Sequence, residues 1–381
     1  MNARLTDAHA DSPRIVDSAV ALRSAPAQRI DAARLAHAKR AFTTRRVSFG
    51  AVASLITEGA TPSPGDLVLA RVTRIGHHKF LQSANGRRQT LFVGDEIIAV
   101  FGHRYAPDQY EALVPESLGP CQLVAGGGVV ATVTHRHARM GQPTELMPLG
   151  LLADAHHSII NLRRYRLSDR PAGAAAPARV IAVLGTSMNA GKTTVAAHLI
   201  RGLVAAGLRV GAAKITGTGA GGDSFLFADA GADPVLDFVD FGYASTYRLP
   251  PDELEQLFTQ TLRHLDDARV DVAVIEVADG LLQTETASLV QQASFSARVD
   301  GIVFAAADSM GAAAGIEWLE RRGLPVLALG GLVTAAPLGA REARAATHLP
   351  VLALEELADE SCARGLLEEL DVRRLPREAQ A

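Results

Sequence analysis

VLGTSMNAGKTT, Val183 to Thr194, joins an apolar run to an amphipathic one. Upstream, VIAVLG (Val180–Gly185) is continuously apolar, as a strand buried on both faces should be. Downstream, from Lys192 to Ala206, Val195, Leu199 and Leu203 recur four apart on one helical face, and Gly207 stops the helix. A glycine-containing loop ending in Gly191-Lys192-Thr193 between a strand and a helix is the context of a phosphate-binding loop. Backbone N–H groups there face phosphate oxygens. The Lys192 ammonium would bridge the β and γ phosphates, and the Thr193 hydroxyl would ligate Mg²⁺. The nucleotide-binding candidates are therefore Gly185, Thr186, Ser187, Met188, Asn189, Ala190, Gly191, Lys192, Thr193 and Thr194. The usual pattern puts four residues between its glycines. Here five stand between Gly185 and Gly191, and Thr186 takes the first-glycine place. The alternative is a glycine-rich turn that binds nothing; lysine, threonine and both flanking elements speak against it.

Outward from the loop, apolar strands alternate with helices. Strands are expected at Arg209–Lys214, Val272–Val277, Gly301–Ala307, Pro325–Leu329 and Pro350–Leu354. Asp252–Leu265 has the helical spacing Leu254, Leu257, Phe258, Leu262, Leu265. This pattern means a parallel sheet covered on both faces. DRPAGAAAPA (Asp169–Ala178) reads as a linker, with few contacts expected across it. Before it the signal is β. Gly65-Asp66 opens LVLARVTRIG, Asn85-Gly86 between KFLQ and TLFV signals a two-residue hairpin, Gly94-Asp95 opens EIIAVFG, and Gly126 to Gly128 precede VVATVT. The expected architecture is α/β: a parallel-sheet phosphate-loop domain preceded by a small all-β barrel or sandwich. The expected divisions are a disordered extension over 1–27, a β domain over 28–168 with a short helix from Gln28 to Phe42, the linker over 169–178, and the α/β domain over 179–381.

Composition narrows the function. Of 381 residues, 38 are Lys or Arg and 41 Asp or Glu, a formal charge of −3, which gives no support for a nucleic-acid partner. Cys121 and Cys362 cannot frame disulfides or a four-thiolate zinc site, and a reducing cytoplasm is the simplest expectation. No run approaches the roughly 18 apolar residues of a membrane span. The first 20 residues carry Asp7, Asp11 and Asp17 where a signal peptide needs an apolar run.

GTSMNAGKT resembles the phosphate loop of dethiobiotin synthetase, which also places five residues between its glycines. Three further segments fit in order. AAKITGTG (Ala212–Gly219) is similar to that family's second strand, where a lysine contacts the substrate carboxylate or carbamate and phosphate; Lys214 takes that place. Asp223 in GAGGDSF matches a metal-binding aspartate, and Glu276 in VIEVADG (Val274–Gly280) matches a glutamate that holds Mg²⁺. Cobyric acid synthases and molybdopterin-guanine dinucleotide adaptor proteins share the wider plan. The resemblance covers about Arg179–Leu357. It implies ATP, with GTP open because GGLVTAAP (Gly330–Pro337) lacks the family's asparagine near the adenine, and Mg²⁺ held by Thr193, Asp223 and Glu276. Val277 and Asp279 replace small residues, so the substrate floor differs. Ser187 stands where partition-type relatives carry an extra lysine.

Lys192, Lys214 and Glu276 are the expected catalytic residues, with Asp279 a second candidate for the metal. The bland readings are a solvated strand-end lysine at 214, a buried salt bridge at Glu276 and a helix cap at Asp223. Thr216 and Thr218 are hydrogen-bond donors or turn residues. Asp237, Asp240, Tyr243, Ser245 and Thr246 line a pocket or form a plain connection. Arg104, Tyr105, Asp108 and Tyr110 cap the active site or meet a partner. His77, His78, His103, His135 and His137 lack metal spacing, and Cys121 is a core residue. The expected activity is nucleotide-dependent activation of a small anionic substrate, a carboxylate or carbamate. The rival is a nucleotide-dependent adaptor or switch in cofactor biosynthesis. A homodimer is left open, and no membrane contact is expected.

Overall fold

Along Leu67–Arg74, Val68, Ala70 and Val72 face one apolar cluster while Leu67 and Leu69 face another. Glu96–Phe101 repeats this, with Ile97, Ala99 and Phe101 on one side and Ile98 and Val100 on the other. A strand with both faces buried lies between two cores. In the computed structural model, which describes residues 27–171, 173 and 176–374, those cores are a barrel interior and the seam between two sheets.

The N-terminal sheet closes on itself. Thr144–Ala153 pairs with Leu67–Arg74, which pairs with Glu96–Phe101. That strand pairs with Val129–Arg136, then Cys121–Ala125, which returns to Thr144–Ala153. The circuit is a small barrel filled by Val68, Ile97, Phe101, Cys121, Leu123, Leu146 and their neighbours. The helix expected from Gln28 to Phe42 is shorter: a strand at Ala27–Arg29, a helix at Ala32–His37 capped by Asp31, and a strand at Lys39–Arg40. The extension expected over 1–27 lies outside the described residues except for Ala27. The Asn85-Gly86 hairpin forms between Phe80–Gln82 and Arg88–Thr90, but its loop spans residues 83–87 and only Gly86 has positive φ. The turn is closed by its own bonds, Gly86 N–H to the Ser83 carbonyl and Ser83 N–H to the Arg87 carbonyl, both at 2.9 Å, with Gly86 lying against the Phe225 ring.

The C-terminal half is a six-stranded parallel sheet. Its strands are β1 (Arg179–Gly185), β2 (Val210–Lys214), β3 (Val235–Asp237), β4 (Val272–Glu276), β5 (Gly301–Ala305) and β6 (Val326–Gly330), in the order β3-β2-β4-β1-β5-β6. Its helices include α1 (Lys192–Ala205), α2 (Gly222–Asp229) and α3 (Pro251–Asp267). Val195, Leu199 and Leu203 are buried against the sheet, as the spacing requires. Pro350–Leu354 is not a strand. Val351 makes one parallel bridge to Leu329, and Leu354 already opens a helix.

Because all strands of this sheet are parallel, their C-terminal ends share one edge, and the barrel sits over it. Outer barrel residues Leu67, Ile98 and Val124 belong to the same apolar cluster as Ala213, Phe238 and Ile275. Arg45 pairs with Asp237 at 2.7 Å and Asp240 at 2.8 Å. Gln82 accepts from the Gly221 N–H at 2.7 Å, and Gly127 lies directly on the Gly219 carbonyl. Glycine is required there: a Cβ on Gly127 would come 2.1 Å from that oxygen. The few contacts expected between the halves are instead a continuous core, because the barrel's outer face is as apolar as its interior.

Candidate functional site

The register of the sheet assembles the floor. Val183 and Lys214 both stand opposite Glu276, from β1 on one side and β2 on the other. After Gly185 the chain turns over the sheet edge and enters α1 through Gly191, whose φ is +96°. Asn189 is also left-handed, at +64°. Lys192 is only 5% exposed and lies back across its loop, donating to the Ser187 carbonyl at 2.7 Å. Thr193 Oγ1 donates to Glu276 at 3.1 Å. Two glycines outside the loop hold its shape. Gly280 packs on the Thr186 carbonyl, and Gly331, at φ +89°, packs on that of Ala190. Thr186 also accepts at its hydroxyl from Ala307 N at 3.3 Å.

Charge is concentrated on this floor. Glu276 is buried, and burial raises its pKa, while Lys214 and Lys192 oppose the rise. Burial alone would depress the Lys214 ammonium; Glu276 and Asp223 outweigh it and hold its pKa above the ordinary value. Lys214 pairs with Asp223 and lies 3.5 Å from Glu276. Burial lowers the Lys192 pKa against the pull of Glu276 and Asp279. Asp279, left-handed at φ +64°, is pushed up to about 6 by burial. Thus two lysines face three carboxylates.

The roof comes from the barrel half, in the segment His103–Tyr110. Asp108 accepts from Asn189 Nδ2 at 2.7 Å, tying the roof to the phosphate loop. Tyr105 packs against Tyr247 at 5.5 Å between centroids, and Tyr247 donates to Glu111 at 3.0 Å. Floor and roof enclose a cavity of about 580 Å³. Its lining includes Lys192, Thr193, Lys214 and Glu276 below, with His78, Arg104 and Gln109 above. A volume of this size is ordinary for a small-molecule site.

The expected loop, lysines, Asp223, Glu276 and Asp279 therefore come together. Asp237 and Asp240 do not: they hold Arg45. Thr216 Oγ1 accepts from Ala278 N at 2.7 Å and fixes the turn below Asp279. Thr246 binds the backbone of Gly217. Tyr243 and Ser245 line a separate cavity of about 390 Å³ with His103, Tyr247 and Arg248. Tyr110 is buried beneath the roof, donating to the Gly141 carbonyl at 2.7 Å. Sequence reasoning missed His78 and Gln109 as cavity residues, and Gly280 and Gly331 as loop supports. The glycines' positions beside the strand ends were the available signal.

Mg²⁺ fits the floor. It needs one or two protein oxygens beside phosphate oxygens and water. Thr193 and Glu276 supply such a pair, although among the described residues no three His, Cys, Asp or Glu side chains converge as a cage.

No family model matches the chain, and no curated protein matches it. Solved structures do. A DUF1611 family protein from Anabaena variabilis is 17% identical over 55% of this chain and 63% of its own, with a TM-score of 0.39. The signal recognition particle 54 kDa protein from Aeropyrum pernix K1, in complex with GDP, is 17% identical over 53% of this chain and 50% of its own, at 0.33. Chloroplast FtsY from Physcomitrella patens is 17% identical over 50% and 62%, at 0.34. The chain covers less than two thirds of each of these three structures.

Proposed function

We propose that the chain binds a magnesium nucleoside triphosphate, ATP or GTP, on residues 185–194 and uses it to activate a small carboxylate or carbamate. The observation that carries this reading is the buried Lys192 on its loop, with Thr193 bonded to buried Glu276, at the floor of an open cavity. Thr193 and Glu276 would hold Mg²⁺, which supplies charge neutralisation when bound. An acceptor carboxylate oxygen forms a bond to the γ-phosphorus as the bond to the β,γ-bridging oxygen breaks, leaving the nucleoside diphosphate. An amine then captures the acyl phosphate and releases inorganic phosphate. Such transfer needs positioning and charge more than a separate base.

Calorimetric titration of the full chain with Mg-ATP and Mg-GTP tests the reading. One of them should bind, and Lys192→Ala should abolish it without changing the near-ultraviolet circular dichroism. Binding of neither, or equal binding by the variant, overturns it. A second reading, a nucleotide-dependent switch, is supported by the Asp108–Asn189 bond that links loop to roof. Hydrolysis that no small carboxylate accelerates would favour the switch.

A further inference from the structure

Arg104 is 7% exposed, yet among the described residues its guanidinium touches no carboxylate. Its Nη2 donates to Gln109 Oε1 at 2.7 Å and its Nη1 to the Val124 carbonyl, both neutral acceptors. Its Nε has no partner among them. Beside it in the cavity wall, His78 Nδ1 is also buried without a partner. Burial, then the Arg104 charge, holds the His78 imidazole neutral, at a pKa of about 3. Burial also lowers the Arg104 guanidinium to about 10, with Asp108 and Asp279 opposing from beyond contact, and this still leaves it charged at neutral pH. A buried cation held only by neutral acceptors favours an anion in the cavity that it lines. Asp223 pairs with Lys214, which lies 3.5 Å from Glu276, whereas Asp108 and Asp279 reach Arg104 only as charges beyond contact.

We propose that Arg104, with His78 beside it, is the subsite for a second anionic group of the acceptor. The acceptor is then a dicarboxylate-class molecule spanning roof and floor. One carboxylate rests on the Arg104 guanidinium while the other meets the γ-phosphate above Lys192. The barrel half is the reader of the acceptor, and the α/β half handles the nucleotide. This rests on the activation chemistry proposed above.

The test uses the full chain saturated with the non-hydrolysable Mg-nucleotide that binds. Malonate, succinate and glutarate are titrated calorimetrically, each against its monoamide, which has the same size and one charge fewer. A charge-assisted pair in a desolvated pocket predicts at least one diacid binding about tenfold or more tighter than its monoamide. Arg104→Met should bring the two within about threefold while nucleotide affinity stays within about threefold, a change too small to be a lost phosphate contact. Absence of any diacid preference in the folded wild-type chain overturns the proposal without recourse to a variant. So does an undiminished preference in Arg104→Met. If Arg104→Met loses nucleotide binding as Lys192→Ala does, Arg104 is a nucleotide contact and the acceptor subsite is wrong. Should the wild-type chain bind no nucleotide, the activation reading fails, and the same diacid titrations without nucleotide still read Arg104.

Discussion

Lys214 and Asp279 answer different questions about the same floor. Lys214 is 11% exposed at its side chain and stands between Asp223 and Glu276. Removing one member of a buried ion cluster leaves uncompensated charge and costs about 3–5 kcal/mol. Lys214→Ala should therefore lower the chemical-denaturation midpoint markedly, and millimolar Mg²⁺ should restore part of it by occupying the freed carboxylates. An unchanged midpoint would make Lys214 a solvated strand end. Asp279 behaves oppositely. Its folded pKa is raised from 3.8 to about 6, so the stability it lends is fully present below its ordinary pKa and is lost as pH rises through about 6. At pH 8 the buried carboxylate is a liability of up to about 3 kcal/mol, because each tenfold change in proton affinity between folded and unfolded chain is worth about 1.4 kcal/mol. Asp279→Asn should then be more stable than the parent at pH 8 and indistinguishable from it near pH 4. Denaturation curves at the two pH values decide this. Lys192→Ala should cost less than Lys214→Ala, because the Lys192 ammonium bonds a loop carbonyl and bears on Glu276 and Asp279 only as a neighbouring charge.

At the scale of elements, the loop owes its shape to two neighbours that approach from other strands. A Cβ on Gly280 would sit 2.2 Å from the Thr186 carbonyl oxygen. Overpacking of this kind costs about 1–3 kcal/mol. Gly280→Ala should thus weaken nucleotide binding by about tenfold or more with little effect on the far end of β4, a split that titration and amide exchange together would reveal. The strand–loop–helix unit and the alternation around it were legible in the sequence because continuous apolar runs and a four-residue period leave few alternatives. Lys214 and Glu276 were legible as charged residues closing apolar strands, with the family resemblance behind their roles, and Asp279, three residues past its strand, only as a second candidate. The turn at Asn85-Gly86 was misread because the same dipeptide also suits a longer loop that needs positive φ at the glycine alone. Pro350–Leu354 was misread because a short apolar run does not reveal whether it extends the sheet or only touches it. His78 was not legible as a cavity residue, and Arg104 was read only as part of a segment that caps the site or meets a partner. They sit at barrel loops, and only the closure of the barrel over the sheet edge brings them to the cavity.

For the molecule as a whole, the seam between the halves is the least expendable part. A fragment beginning at Ala178 would strip the barrel residues from the cluster that holds Phe238, Val239, Phe241 and Ala244 and leave Asp240 without Arg45. Burial, then Asp237, raises the Asp240 pKa even with that arginine in place. The fragment should therefore melt without cooperativity and bind the fluorescent dye that marks exposed apolar surface; a sharp transition matching the intact chain would show the α/β half to be self-sufficient. The same seam carries an optical property. The single tryptophan, Trp318, stands on the helix Ser309–Glu320, whereas Tyr105 and Tyr247 meet across the halves with their rings inclined at 48°. The near-ultraviolet signal of the five tyrosines therefore includes a pair whose packing depends on barrel and sheet staying together. Separation of the halves would part that pair and change the signal with no attached dye.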